Sequence, residues 1–145
     1  MSHSYSSTLV HCTFGTKGRR PLIKPELEER VWAFMGGIAR KNGMKALAIG
    51  GIEDHVHVLL SLPGTTPVAK GVQLIKAGSS KMMRATFTPA FEWQEGYGAF
   101  SIGVSQVKPT MAYIKNQRKH HKRFDFRREF EIFLRRHGIV PDELP

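Results

Sequence analysis

The stretch that decides the fold is residues 54–62, which read DHVHVLLSL. Side chains of a strand point alternately to its two faces, so every second residue of this stretch shares a face. His55 and His57 lie on one face. The opposite face is purely apolar and is predicted to lie on a core: Val56, Val58, Leu60 and Leu62. His55 and His57 lie side by side, with Cα atoms about 6.5 Å apart at the rise of a strand. Two imidazoles at this spacing can bind one divalent metal ion.

The histidine pair also has a simpler interpretation, as an exposed polar pair on a half-solvated strand. With 7 histidines in 145 residues, an H-x-H triplet is expected by chance about a third of the time. Glu53 and Asp54 precede the pair. They could tune a metal or supply a ligand, but acidic residues are also common in turns. The interpretation of the pair as metal ligands therefore needs support from the rest of the chain.

The charge of the chain indicates a polyanionic partner. Its formal net charge is +10 and its pI is about 10.1, which favours nucleic acid as the first candidate. An anionic membrane surface is the second candidate. No amphipathic basic helix with a Trp/Leu face supports it, and no apolar run approaches the roughly 18 residues that a membrane span needs. We therefore expect no membrane partner.

The length of the chain predicts one domain, residues 1–145. Its cysteine content fits a reducing compartment. Cys12 is the single cysteine, which excludes an internal disulfide and a multi-cysteine zinc site. Its apolar neighbours favour a buried thiol in a strand over a nucleophile. The first residues lack the pattern of a signal peptide. A cytoplasmic location is therefore expected.

Periodicity and end signals predict the remaining strands and the first two helices. Strands are predicted at 4–14, 44–49 and 98–102, and a five-residue loop at 50–54 leads into the histidine strand. One helix begins at Pro25 and ends at Asn42. A second begins at Pro67, after Thr65 or Thr66 as its cap, and ends within residues 76–81. The core face of the first helix is predicted to carry Leu27, Val31, Phe34 and Ile38.

Two further helices are predicted near the end of the chain, one from Lys108 and one after Asp125 as its cap, with Gly138 ending it. The first six elements follow the order β-α-β-β-α-β. This order predicts an α+β ferredoxin-like sandwich, with an antiparallel sheet and helices on one face. The other face is expected to be open, which would suit a nucleic-acid site.

The helix from Lys108 carries a second polar constellation. Tyr113, Gln117 and His120 are spaced i, i+4 and i+7 and so share one helix face. Basic residues surround them: Lys115, Arg118, Lys119, Lys122 and Arg123. A tyrosine phenol can attack a phosphodiester when a metal polarises the phosphate and a cation stabilises the developing charge. The product would be a phosphotyrosine-linked strand and a free hydroxyl.

Two basic segments are candidate phosphate contacts. The loop at 15–21 combines glycines with three cations, and we favour a phosphate-contacting loop over a solvated turn. Residues 76–81 combine two hydroxyls and two lysines around a glycine. This composition fits a contact with the nucleic-acid backbone and a solvated polar helix end equally well. Trp93 and Tyr97 could stack on bases. Aromatic residues beside a strand are more often part of the core.

The motifs together resemble one family over nearly the whole chain. The triplet at 55–57 matches the HUH motif, which is histidine, a bulky hydrophobe and histidine. The segment 113–117, followed by His120 and His121, matches the tyrosine helix of that family. Similarity extends to residues 16–21, 76–80 and 93–99. The chain thus resembles the single-tyrosine HUH transposases of the insertion-sequence 200/605 group.

This resemblance implies a specific chemistry. Such enzymes cleave and rejoin single-stranded DNA and recognise imperfect hairpins near the element ends. Tyr113 would attack the scissile phosphate and form a 5′-phosphotyrosine link, with His55, His57 and Gln117 coordinating Mg²⁺ or Mn²⁺. The family works as a homodimer with composite sites. The DNA-contacting residues expected from the basic segments are Lys17, Arg19, Arg20, Lys76, Ser79, Ser80, Lys81, Arg118 and Lys119.

Other functions remain open from the sequence. Replication initiators and relaxases share the chemistry, but they usually have another motif order and longer chains. A ferredoxin-like protein that only binds nucleic acid would explain the charge and the aromatic residues. It would leave the histidine pair and Tyr113 with Gln117 unexplained. No nucleotide-binding loop is present, so no nucleotide cofactor is expected.

Overall fold

An antiparallel sheet of four strands forms the centre of the computed structural model, which describes residues 3–121 and 125–141. The strands are β1 (Leu9–Gly15), β2 (Lys45–Ile52), β3 (His55–Ser61) and β4 (Gly98–Ile102). Their order across the sheet is β2-β3-β1-β4. This is the predicted α+β ferredoxin-like arrangement, with β1 and β3 as the central strands. The predicted bounds of β4 are confirmed, whereas β1 begins five residues later than predicted.

Two helices, α1 (Glu28–Lys41) and α2 (Val68–Thr86), pack on one face of this sheet. The apolar face of β3 is buried beneath them, as predicted, with Val56 and Val58 fully inaccessible.

Cys12 of β1 belongs to the same core, and burial raises the pKa of its thiol to about 12. The thiol is therefore a core group and not a nucleophile.

The C-terminal part of the chain covers the other face of the sheet. It forms α3 (Val107–Lys115), α4 (Gln117–His120) and α5 (Phe126–Arg136). Ile114 of α3 is buried against Leu59 of β3, and α5 buries three apolar side chains against Phe100 of β4. The expectation that this face is open is therefore wrong. The predicted helix after Asp125 is confirmed, and the Asp125 side chain accepts a hydrogen bond from the Arg128 backbone N–H at 2.9 Å.

The turn that leads into β3 is shorter than predicted. Only Glu53 and Asp54 separate β2 from β3, because Gly50 and Gly51 belong to β2 and pair with His57 and Val56. A Cβ on Gly50 would lie 2.3 Å from the carbonyl oxygen of Ile114. The glycine is therefore required by the close approach of α3, and not by a loop.

The helices differ from the predicted patterns in two places. The core face of α1 carries Val31, Met35 and Ala39, while Phe34 is 43% exposed, so the buried stripe steps by four residues. The predicted end of α2 within 76–81 is wrong, since the helix continues to Thr86. A Cβ on Gly78 would lie 2.7 Å from Cδ1 of Ile38. This glycine allows two helices to approach and does not terminate one.

No helix among the described residues is long and apolar enough to span a membrane.

Replacing Gly50 with alanine is expected to destabilise the chain by about 2 kcal/mol, because overpacking against backbone cannot be relieved by a rotamer change. Gly36→Ala in α1 is the matched control, since its Cβ would meet only Ile49 Cδ1 at 3.8 Å. Alanine there should be neutral or stabilising by up to about 1 kcal/mol. Urea denaturation of the two variants measures the difference. Equal stability would contradict the packing of α3 on β2.

Candidate metal and tyrosine centre

The two histidines of β3 lie at the centre of a buried polar cluster. Their ring centroids are 5.2 Å apart, and neither residue is exposed to solvent. His57 is paired with Gly50 on one side and with Thr13 on the other. These small neighbours leave room above the sheet for two imidazoles and for the helices that cover them. The interpretation of an exposed polar pair is therefore wrong.

Each histidine is held through its Nδ1 atom by a second residue. His55 Nδ1 lies 2.8 Å from Asp54 Oδ1, and His57 Nδ1 lies 2.8 Å from His11 Nε2. Burial, with the nearby His57, lowers the pKa of His11 to about 3, so this ring is neutral. Such partners fix the orientation of an imidazole and direct its Nε2 atom to a metal or a substrate.

The Nε2 atom of His55 faces the residues from the tyrosine helix. Gln117 Oε1 lies 2.9 Å from His55 Nε2 and 3.0 Å from His121 Nε2. Gln117 is buried because α4 packs over β2. The structure therefore brings the three predicted metal ligands together with His121, which was not among them.

Tyr113 lies four residues before Gln117 and points into the same cluster. The single helix predicted from Lys108 is interrupted at Asn116, so the tyrosine belongs to α3 and the glutamine begins α4. Its ring stacks on His120, with centroids 4.5 Å apart, and its hydroxyl donates a hydrogen bond to Glu129 Oε2. Burial and the adjacent Glu129 carboxylate raise the pKa of Tyr113 well above its ordinary value. The phenol therefore carries its proton at neutral pH.

Glu129 of α5 was not predicted from the sequence, although it occupies the middle of the site. Its Oε1 lies 2.8 Å from His57 Nε2, 3.5 Å from His55 Nε2 and 3.4 Å from His121 Nε2. Burial by itself raises its pKa, but hydrogen bonds and charge interactions with these histidines lower the pKa of Glu129 well below its usual range. One signal was available: a glutamate stands within the apolar stripe of Phe126, Phe130 and Phe133.

The side chains at this centre fit a divalent metal ion. Ligand atoms of His55, His121 and Glu129 all lie within 4.8 Å of one another, and His57 and Gln117 border the same space. Imidazole nitrogens together with amide and carboxylate oxygens form a donor set that suits several divalent metals. The identity of the metal does not follow from this set.

Two of the predicted DNA contacts make hydrogen bonds within the fold. Ser79 is fully buried, donates to the Ile75 carbonyl and accepts a hydrogen bond from Trp93 Nε1 at 2.9 Å. Lys76 Nζ donates to the carbonyls of Gln94 and Gly96 at 2.7 and 2.9 Å. Both residues fasten the segment before β4 to α2, and Trp93 is part of the core. Ser79 is thus buried away from the surface, whereas Lys76 is half-buried and, with Trp93, also lines a cavity beside α2.

The remaining predicted contacts fall into two groups. Arg118 joins α4 to the rest of the fold through Glu28 and Glu53, and Lys17 pairs with Glu92 at 2.9 Å on the surface. The other cations are exposed and form no ion pair with any described residue: Arg19, Arg20, Lys81 and Lys119. Ser80 is half-buried beside Lys81 and donates to the Ala77 carbonyl.

Comparison with known proteins identifies transposases as relatives of this chain. The chain is 22% identical to the ISDra2 transposase TnpA of Deinococcus radiodurans over 114 residues, which are 74% of this chain and 81% of that protein. The crystal structure of a proposed transposase from D. radiodurans R1 superposes with a TM-score of 0.65 at 22% identity. That match covers 81% of this chain and 96% of the other.

A second solved structure, of a REP-associated tyrosine transposase bound to a REP hairpin, superposes with a TM-score of 0.57 at 16% identity. It covers 79% of this chain and 68% of the other. At these identities the two structures show the shared fold. The family model described as IS200-like transposase matches residues 4–117, which include the histidine pair, the tyrosine and Gln117. The chain therefore belongs to the family of IS200-like transposases.

Proposed function

We propose that this transposase cleaves and rejoins single-stranded DNA by metal-assisted transesterification, with Tyr113 as the nucleophile. The observation that carries the proposal is the convergence of the Tyr113 hydroxyl, the β3 histidines and Gln117 in one buried cluster. A structural tyrosine would not need a set of metal-binding side chains beside it. The related transposases support DNA strand transfer as the general activity.

The proposed reaction exchanges one phosphoester bond for another. The Tyr113 oxygen forms a bond to the scissile phosphorus, and the bond to the 3′-oxygen breaks, which leaves a 5′-phosphotyrosine and a 3′-hydroxyl. Mg²⁺ or Mn²⁺ held by His55, His57 and Gln117 would polarise the phosphate oxygens. Because the phenol is protonated at neutral pH, its proton must leave as the bond forms. Glu129 Oε2 already accepts the hydrogen bond from this hydroxyl.

A cavity of about 490 Å³ provides a path to the tyrosine. Its lining includes Tyr113, Ser101 of β4 and Arg136 of α5. Arg136 is exposed, and its guanidinium suits a phosphate group. We infer that the strand to be cleaved enters through this cavity.

The DNA hairpin is proposed to bind on a different surface, along α2. A cavity of about 470 Å³ lies between α2 and the segment before β4, and Ser80, Arg84 and Tyr97 contribute to its lining. Lys81 is exposed on the same helix. The REP-hairpin complex of the structural relative supports a hairpin as ligand. The net charge of +10 supports a nucleic-acid partner of either form. The activity is proposed to be cytoplasmic, which a reduced, buried Cys12 would suit.

The nucleophile is tested with a covalent-adduct assay. The protein is mixed with labelled single strands that cover both flanks of its gene, with Mg²⁺ or Mn²⁺, and separated on a denaturing gel. A protein-linked band that requires the metal is expected, and it should be lost in Tyr113→Phe and in His57→Ala, by at least about 10³-fold. Tyr5→Phe is the matched control, because Tyr5 is 92% exposed and belongs to neither proposed site, and it should retain the band.

Persistence of the band in Tyr113→Phe would show that another residue is the nucleophile. Tight hairpin binding without any adduct, on strands that contain the element ends, would instead favour the non-catalytic nucleic-acid-binding protein. Loss of the band in both Tyr113→Phe and Tyr5→Phe would indicate a general effect on DNA binding, which an anisotropy measurement on the same strands would reveal.

The hairpin surface is tested by the salt dependence of binding. Lys81→Ala should weaken hairpin binding about equally for different sequences and reduce the slope of log K against log salt by about 1. Lys45→Ala is the control, since this lysine is exposed at the far end of β2 and should leave the slope unchanged. Fluorescence anisotropy is measured at salt concentrations between roughly 50 and 200 mM, a range in which phosphate contacts change the affinity strongly, and gives both slopes. Identical slopes for the two variants would exclude Lys81 from the interface.

The resemblance further implies a homodimer in which one copy completes the site of the other. In the described chain, Tyr113 meets the histidines of its own β3, so an exchanged site would require α3 and α4 to leave β2. Mixing the His57→Ala and Tyr113→Phe variants separates the two arrangements. An adduct in the mixture supports exchange between two copies, and its absence supports a site within one chain.

A further inference from the structure

Glu129 lies at the centre of the cluster but is not part of the ligand set expected from the sequence, which is His55, His57 and Gln117. We propose that Glu129 is a further ligand of the metal ion and that its second oxygen positions the nucleophilic tyrosine. This inference rests on the proposed function, because it concerns the metal that the proposed reaction uses.

The two carboxylate oxygens of Glu129 have different neighbours. Oε1 faces the Nε2 atoms of His57, His55 and His121 at 2.8, 3.5 and 3.4 Å, so it lies among the atoms that would bind the ion. Oε2 accepts the hydrogen bond from the Tyr113 hydroxyl. One carboxylate therefore joins the space of the metal to the attacking oxygen, and a rotation of the side chain would disturb both.

The burial of Glu129 supports the presence of a cation beside it. The residue is 1% exposed, and an isolated carboxylate at that depth is costly unless positive charge and hydrogen bonds compensate it. Among the described residues, the ion-pair partners of Glu129 are histidines. A divalent cation held beside Oε1 would supply positive charge directly to this buried carboxylate.

The carboxylate also bears on which metal is bound. Two imidazoles and one amide are neutral and would serve nitrogen-preferring ions well, whereas carboxylate oxygens favour Mg²⁺ and Mn²⁺. Glu129 comes from α5, while the histidines come from β3 and Gln117 from α4. The ion would therefore fasten α5 to the sheet, and loading the metal should stabilise the C-terminal helix.

The proposal is tested by Mn²⁺ binding to the full chain without DNA. Isothermal titration is performed on the wild type, Glu129→Gln, Glu131→Gln and His57→Ala. Glu129→Gln keeps the size of the side chain and should weaken Mn²⁺ binding by at least about tenfold. Glu131→Gln is the matched control, because Glu131 lies on the same helix and pairs only with Arg127 and Arg128 among the described residues. It should bind as the wild type does.

The outcomes separate this inference from the proposed function. Wild-type affinity in Glu129→Gln, with weak binding in His57→Ala, would overturn the role of Glu129 and leave the histidine site intact. Absence of Mn²⁺ binding in the wild type would overturn both. Normal metal binding without a covalent adduct would count against the proposed reaction alone.

A second measurement keeps the test valid if Glu129→Gln does not fold. Glu129→Asp retains the charge and withdraws the oxygens by one methylene. The rise in melting temperature caused by Mn²⁺, which reflects preferential binding to the folded state, should then be smaller than in the wild type. A full rise in Glu129→Asp would overturn the proposal.

Discussion

The contact between the Glu129 carboxylate and the histidines of β3 is the interaction on which the rest of the site depends. A buried carboxylate requires several hydrogen bonds, and here it obtains them from His57 and from the Tyr113 hydroxyl. These bonds hold α5 and the tyrosine over the same face of the sheet. The polar cluster is thus both the proposed reaction centre and the attachment of the C-terminal helices.

The close approach of α3 to the sheet is the second constraint. Gly50 of β2 leaves the space that the Ile114 carbonyl occupies, and Ile114 itself packs on Leu59 of β3. The helix is therefore placed by backbone and apolar contacts that involve no functional residue. A tyrosine and a glutamine four residues apart can reach the histidines only because this scaffold fixes their positions, as preorganised sites require.

Local patterns were sufficient where neighbours in sequence are neighbours in space. The alternation through β3, the bounds of β4 and the Asp125 cap could all be predicted, since each depends on a few adjacent residues. Patterns failed where tertiary contacts decide. The polar stretch at 76–81 predicts a helix end, but Gly78 within it accommodates Ile38 of another helix. The period of α1 places Phe34 in the core, although the face buried by the sheet is one residue further round.

The sequence by itself determined the fold class, the histidine pair with its tyrosine helix, and the family to which the chain belongs. Only the tertiary structure decided that the histidine face is covered, that Ser79 is buried against Trp93, and that Glu129 enters the site. The physical reason is that burial and charge pairing depend on contacts across the chain: Glu129 meets His57 over 72 positions of sequence. Neither periodicity nor the spacing of a motif reports such a contact.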